Sequence, residues 1–316
     1  MPRRVVLDTD PGIDDALAIL LALSSPELDL AAVSVTGGNC SMEDGVRNAL
    51  NVLALGGRPD LPVCPGVALP LIRPPFTAPE THGDAGLGYA RLPSSPHPPA
   101  SEHGVDMIIR EIMSRPGEVT LVAVAPFTNV ALAVRKEPRI VEAVHEVIMM
   151  GGALRVDGNT TPLAEFNVYV DPHAAHIVLH SGLPITLMPW DITKDVLLTQ
   201  DDVDRLLQID SPISRFIEAA TRFYIDFHRA YFGYAGCSIN DPAVLALAFQ
   251  PELARTEQLF VDVEVASELT IGKTVGDFLG QSGREPNVRL VIDFDSSRFL
   301  TLFMQRMEQL ARNRIG

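Results

Sequence analysis

The chain has 316 residues, of which 47% are hydrophobic and 21% charged, and its formal net charge is −15. Such a composition builds a sizeable globular core and excludes global disorder. The acidic balance argues against binding a nucleic-acid backbone, which needs a basic face; it suits carboxylates gathered around a cation, although solvated acidic surfaces are commoner.

In chain order, Val5-Val6-Leu7 is an apolar run too short for a signal peptide and reads as a buried strand that turns at Gly12. Ala16 to Leu23 is rich in helix formers and far too short to span a bilayer. Leu30 to Val35 predicts a second strand, and Met42 to Leu55 a helix. The proline-dense segment from Arg58 to Ala100 predicts a long loop of the kind that serves as a lid or a connector. Thr120 to Val124, Val147 to Met150 and Ile185 to Met188 continue the strands, with helices near Asn129 to Arg135 and Pro172 to His180. Phe260 to Val265 and Val288 to Phe294 alternate like strands, and Ser296 is placed to cap a last helix running toward Arg314. Strands alternating with helices predict an α/β fold: one domain over residues 1–316, with a largely parallel central sheet flanked by helices. Cys40, Cys64 and Cys237 are odd in number and lack metal-ligand spacing, so free thiols in a cytoplasmic protein are expected.

The chemistry concentrates in Asp8-Thr9-Asp10-Pro11-Gly12-Ile13-Asp14-Asp15, four carboxylates within eight positions. Ligands of open α/β sheets bind beyond the carboxyl ends of the strands, where this segment falls. Crowded carboxylates repel one another and call for a cation, and oxygen-only ligation points to calcium or magnesium rather than zinc. Helix capping by Asp14 and Asp15 would explain one acid, not three or four. Gly12 breaks the spacing of an EF-hand loop, and it stands where phosphatases of the haloacid-dehalogenase type normally place Thr or Val.

Asp8 to Asp15 resembles the N-terminal fingerprint of the inosine–uridine-preferring nucleoside hydrolases. The resemblance continues in order through Gly38-Asn39, Thr81-His82-Gly83, Pro126-Phe127-Thr128-Asn129, Met150-Gly151-Gly152, Ala164-Glu165-Phe166-Asn167, Asp171-Pro172 and Asp241-Pro242. It implies a nucleoside hydrolase fold with a Rossmann-like core, and calcium-dependent hydrolysis of the N-glycosidic bond of ribonucleosides to free base and ribose. It further implies a Ca2+ ion held by Asp10, Asp15, Asp241 and the Val124 carbonyl, with Asp10 as general base toward the attacking water. Asp14 and Asn39 are then expected on the ribose hydroxyls, and Asn159, Glu165 and Asn167 on the sugar and its 5′-hydroxyl. Taken alone, Asp241 reads as a helix N-cap, and the three asparagines as turn or strand-end residues.

His82 lies in a glycine-flanked loop near the family's base-binding region, where an isolated histidine would otherwise be solvated. Phe223, Tyr224, Phe227, His228, Tyr231 and Phe232 recur with partly helical spacing; a core-packed face is the general reading, and Tyr224 and His228 are the first candidates for the base pocket. One departure matters. Many family members carry His before the final Asp-Pro, assigned to protonation of the leaving base, whereas this chain has Asn240. An amide donates a hydrogen bond but is no general acid near neutral pH. Asn240 and His82 are therefore the candidate leaving-group residues, with His228 as a second possible acid, and the expected base preference is pyrimidine or broad. The alternatives are a weakly catalytic calcium-dependent ribose or nucleoside sensor and a metal-dependent phosphatase. The expected partners are a small nucleoside and, from the resemblance, a second copy or three further copies of the chain in a homodimer or homotetramer, with no nucleic acid and no membrane.

Overall fold

A computed structural model describes residues 1–314. Its strands are β1 (Arg3–Thr9), β2 (Leu28–Val35), β3 (Val63–Pro65), β4 (Val119–Ala123), β5 (Glu146–Met150), β6 (Ile185–Met188), β7 (Leu197–Thr199), β8 (Gly236–Ser238), β9 (Ala254–Leu259), β10 (Val261–Val263), β11 (Thr274–Gly276) and β12 (Val288–Phe294). Eight form the central sheet in the order β3-β2-β1-β4-β5-β6-β12-β9. Every neighbouring pair is parallel except β12 with β9, which is antiparallel at the edge. The chain thus leaves β1 toward one side and returns on the other, creating a crevice beyond the carboxyl ends of β1 and β4.

Strand alternation supplies both faces of this sheet. Val5 and Leu7 of β1, Val122 and Val124 at β4, and Ile148 and Met150 of β5 pack under the helices Ile13–Ser24, Met42–Leu55, Pro212–Phe232 and Ser296–Arg312. The intervening Val6, Leu121, Ala123, Val147 and Met149 pack on the opposite face, under Gly104–Ser114, Thr128–Lys136 and Pro172–Leu179. The predicted parallel sheet covered on both sides is the one found, and several predicted boundaries agree to the residue, as at Met42–Leu55, Ile185–Met188 and Val288–Phe294.

Three local expectations are corrected. Phe260 to Val265 is not one strand: β9 ends at Leu259 and β10 starts at Val261. β9 itself left no apolar signal because, as an edge strand, it buries only its last residue fully. The last helix is capped by Asp295, whose carboxylate accepts from the Arg298 N–H at 3.0 Å, so Ser296 is its first residue rather than its cap. The Arg58 to Ala100 segment contains β3 and a short helix, Pro79–His82. It is tied down by Asn48 Nδ2, which donates to the Ala85 carbonyl at 2.7 Å and to the Pro11 carbonyl at 3.0 Å.

Asp8 lies on the Val6 face of β1, whereas Asp10 is beyond the strand end and Asp14 and Asp15 are on the helix that follows. Asp8 accepts from Asn129 Nδ2 at 2.8 Å and from the Ser34 hydroxyl, and Asn129 Oδ1 accepts from the Val67 N–H at 2.9 Å. Burial pushes the Asp8 carboxyl up to about 6, although these two donors pull it down. Asn129 therefore links β1, β2 and the loop after β3. Asn129→Ala should lower the unfolding free energy by ~2–4 kcal/mol, because it strands a buried carboxyl and a backbone donor at once. Urea unfolding measures this; a loss under ~0.5 kcal/mol would show that the network contributes nothing.

Candidate active site

β1 runs out at Thr9, and Asp10 follows at the mouth of the crevice; Pro11 and Gly12 then turn the chain into the helix Ile13–Ser24. This helix opens on Asp14 and Asp15, where its amide dipoles favour negative charge. Asp15 is the local anchor. It accepts from the Gly12 N–H at 2.9 Å, the Asp10 N–H at 3.2 Å, Asn39 Nδ2 at 2.9 Å and the Thr9 hydroxyl. Asp10 takes one donor, the Asn39 N–H at 2.7 Å on Oδ2, while its buried Oδ1 has no partner. Two glycines make the approach possible. A Cβ at Gly38 would collide with the Asp10 carboxylate, and one at Gly12 would stand 2.6 Å from His82 Nδ1 and 2.8 Å from Asn39 Nδ2.

Asp241 enters from the far end of the chain, in the first turn of the helix Asn240–Ala246, and does not serve as its N-cap. Ligand oxygens of Asp14, Asp15 and Asp241 lie within 4.8 Å of one another. Asp10 adjoins this trio through Asn39, which bonds both Asp10 and Asp15. All four carboxylates are at most 4% exposed. Burial, then the neighbouring carboxylates, push Asp10 and Asp241 well above the usual range, and Asp14 up to about 7.

A cavity opens above this floor, lined by Asp14, Asn39, Val124, Asn159, Glu165, Asn167, Asn240 and Asp241 and by His82, Tyr224 and His228. Asp10 and Asp15 sit behind it and touch it through Asn39. No lysine or arginine is among the described residues of the lining. One wall comes from the loop after β5. Glu165 caps the short helix Phe166–Val170, accepting from the N–H groups of Gly152 at 2.8 Å, Asn167 at 2.9 Å and Val168 at 3.2 Å; burial nevertheless raises it to about 6. Asn167 Nδ2 donates to the Val124 carbonyl at 2.9 Å, and Asn159 Oδ1 accepts from the Phe166 N–H at 2.9 Å. The cavity lining thus brings together the expected residues other than Asp10 and Asp15, which lie behind it, and the close carboxylate trio contains Asp14 where the resemblance implied Asp10.

The opposite wall is aromatic. Tyr224, Phe227, His228 and Phe232 of the helix Pro212–Phe232 line it, together with Trp190. Phe223 and Tyr231 do not: Phe223 packs on Tyr89, and Tyr231 is exposed. Trp190, Thr81, Met150, Thr160 and Phe166 also line the cavity and were given no role from sequence, although Thr81, Met150 and Phe166 lie within the matched motifs and Trp190 is the single tryptophan of the chain. His82 is buried at the end of its short helix, not solvated in a loop. Its Nδ1 accepts from the Ile13 N–H at 3.1 Å, which requires a lone pair and therefore the neutral ring. His228 Nδ1 lies 2.9 Å from the Tyr224 carbonyl, so that nitrogen carries its proton. Burial lowers His82 to about 3 and His228 to about 4. Asn240 is committed at both ends, with Nδ2 donating to Asp14 at 3.1 Å and Oδ1 accepting from the Ser238 hydroxyl at 2.9 Å.

Crowded carboxylates on a switch-point crevice, facing an aromatic wall, define a cation-assisted site for a polar ligand with a flat apolar end. The model of the family described as inosine-uridine preferring nucleoside hydrolase matches residues 5–301, and the chain belongs to that family. It is accordingly an N-ribohydrolase, an enzyme acting on N-glycosyl compounds. It is similar to the pyrimidine-specific ribonucleoside hydrolase RihA of Salmonella gallinarum, with 36% identity over 98% of this chain and 100% of that one. It also resembles the solved purine-preferring ribonucleoside hydrolase of Gardnerella vaginalis, with a TM-score of 0.93 and 34% identity over 98% of this chain and 100% of that chain. A solved plant nucleoside hydrolase gives a TM-score of 0.91 at 34% identity, covering 97% and 99%. The phosphatase and sensor readings are set aside by this membership. Among the described residues, no helix is long and apolar enough to cross a membrane.

The donor set fits a hard divalent cation: oxygen atoms only, several carboxylates, a strand-end carbonyl and one orphaned buried oxygen. Because burial and repulsion raise these carboxyl pKa values, the three carboxyls of chelated protein bind more protons than in the unfolded chain between about pH 4 and about pH 7, and the lowered His82 and His228 offset only part of this. Its stability should therefore fall as pH rises through that window. Excess divalent cation should reverse the fall, adding ~2.7 kcal/mol at a hundredfold excess over Kd. Thermal unfolding at about pH 5 and about pH 8, with chelator and with calcium, measures this; equal stability of the chelated protein at both would contradict it.

Proposed function

We propose that this enzyme hydrolyses ribonucleosides with calcium as its cation and with a preference for pyrimidine bases. Asp10 carries the reading: a buried carboxylate with one oxygen held by Asn39 and the other unpartnered, beside three further acids. Asp10, Asp15, Asp241 and the Val124 carbonyl would hold the ion. When bound, calcium supplies charge neutralisation, ligand positions for ribose hydroxyls and a lowered pKa for water.

Asp10 takes the proton from the attacking water, whose oxygen forms the new bond to the ribose anomeric carbon as the C–N bond breaks; the bonding pair leaves with the base nitrogen, which takes its proton from solvent. Asp14 receives the ribose hydroxyls, oriented by the Asn240 amide. Asn39 has its free carbonyl oxygen, and Asn159 its free amide nitrogen, for the sugar. Glu165 and Asn167 form the wall toward the 5′-hydroxyl. Such a frame holds an oxocarbenium-like sugar and rejects analogues lacking a hydroxyl, since its own buried groups would then be unpaired. Tyr224, His228, Phe227 and Trp190 take the flat base. The proposed assembly, a homodimer or homotetramer, rests on the family resemblance.

The base preference follows from protons. A purine leaves most readily once its ring is protonated, and this end of the cavity holds no good acid near neutral pH: burial holds the Tyr224 phenol well above its usual range. Asn240 is an amide, His82 loses its Ile13 contact if protonated, and burial keeps His228 neutral. The two kinds of relative differ in stated base preference, so likeness leaves this choice to the residues of the site.

Asp10→Asn should keep the fold and lower turnover by at least ~10²–10⁴-fold, as loss of a general base does. Steady-state assays with uridine check it, and near-normal turnover by the folded variant would remove Asp10 from this role. For the base, free ribose and free base are assayed from uridine, cytidine and inosine with calcium present. The expected outcome is faster release from the pyrimidines. Asn240→His should raise the inosine-to-uridine rate ratio, by up to the ~10²–10⁴-fold worth of a placed acid. Fast wild-type inosine hydrolysis, unchanged in Asn240→His but lost in His82→Ala, would overturn the preference.

A further inference from the structure

A second cluster of metal-ligating side chains lies outside the nucleoside cavity. His176 sits in the last turn of the helix Pro172–Leu179 and His180 is its C-cap. Four residues apart, they share one face, and their ring centroids are 4.4 Å apart. Asp262 of β10 reaches between them. Its Oδ1 stands 2.9 Å from His176 Nδ1 and 3.0 Å from His180 Nε2. None of the three lines the nucleoside cavity.

We propose that His176, His180 and Asp262 form a site for a late first-row divalent metal, such as zinc, distinct from the aspartate centre. The donor set differs in kind: two imidazole nitrogens and one carboxylate oxygen suit Zn2+ and its neighbours, whereas oxygen-only sites suit Ca2+. The geometry is close to what one ion imposes. Tetrahedral zinc, with bonds of ~2.0–2.2 Å, holds its ligand atoms ~3.3 Å apart. The observed separations need to open by only a few tenths of an ångström. The side chains are 44%, 31% and 31% exposed, which leaves the cluster open to a water as fourth ligand. Both ring nitrogens that face Asp262 have that carboxylate oxygen as their hydrogen-bond partner, so binding displaces no other contact of theirs.

Two neighbours modulate the site. Phe260 packs edge-on to His180 at 5.9 Å and shields one side. Arg284 lies 3.7 Å from Asp262 Oδ2 and above the Phe260 ring, so it competes for the carboxylate charge; at 58% side-chain exposure it is free to swing into solvent. A metal here would tie the helix Pro172–Leu179 to the β10–β11 hairpin. That hairpin reaches the active-site wall through Lys273, whose Nζ donates to the Ala153 carbonyl at 2.8 Å. The role is therefore stabilising, not chemical.

The test uses the full-length protein with calcium in excess and zinc chloride as the probe, followed by calorimetry and by the visible bands of a cobalt-loaded sample. One equivalent of Zn2+ should bind, raise the melting temperature and survive Asp241→Asn. His180→Ala should weaken binding by more than the ~10–100-fold typical of losing an outer-shell partner, with uridine hydrolysis unchanged, while Arg284→Ala should tighten it. His176→Ala is the second variant, and circular dichroism establishes that each is folded. No zinc binding to the wild type overturns the proposal. So does zinc binding that is lost in Asp241→Asn and kept in His180→Ala or His176→Ala, which would place the ion at the aspartate centre alone.

Discussion

Four buried carboxylates, Asp10, Asp14, Asp15 and Asp241, crowd the base of a cavity with no lysine or arginine among the described residues of its lining. Left to themselves they would repel one another and protonate, which is why burial and mutual charge drive three of them upward. Much of the surrounding architecture answers this strain. The helix Ile13–Ser24 presents its amide end to Asp15, Asn39 lends two N–H donors, and Gly12 and Gly38 remove the Cβ atoms that would keep those donors away. A cation completes what the amides begin, because neutral donors offset only part of the cost of burying several like charges.

The sheet order explains why the acids meet there. β1 lies beside β4 where the connections diverge, and so its carboxyl end is open rather than covered by a crossover. β4 ends alongside it and delivers Val124, while β5 leads into the loop that carries Asn159, Glu165 and Asn167. This second wall is stiffened by its own hydrogen bonds: Glu165 spends its oxygens on three backbone donors, and Asn167 binds the Val124 carbonyl. In the proposed reading this wall holds the sugar, and its hydrogen bonds order it before the ligand arrives, which lowers the entropy lost on binding.

The aromatic wall obeys a different constraint. Its two histidines are buried among apolar rings, His82 5.2 Å from Tyr224 and Tyr224 4.4 Å from His228 between ring centroids. Low polarity favours stacking of a base and disfavours imidazolium. Asn240 stands at the boundary between the two halves, its amide turned to Asp14 rather than free to meet the base. In the proposed reading, the base end binds by contact and the sugar end supplies the chemical driving force.

The sequence by itself determined the parallel α/β architecture, because buried strands and amphipathic helices leave periodic apolar runs such as Leu30 to Val35 and Met42 to Leu55. It also singled out the acidic turn after β1, since several acids so close together have few other physical uses. The edge strand β9 was illegible because exposed positions carry no burial pattern. Only the tertiary structure decided that Asp8 is held by Asn129 and Ser34 while Asp10, beyond the end of β1, turns to Asn39; strand alternation alone would put the two on one face. The tertiary structure brought Asp241 to Asp14 and Asp15 across more than 200 positions, a meeting the family resemblance implied but local spacing did not show, and it set Trp190 against Phe232. Long-range juxtaposition is set by how elements stack on the sheet, and that packing leaves no trace in local spacing. The tautomers of His82 and His228 were likewise decided by backbone groups that fold against them, Ile13 from another element and Tyr224 one turn away.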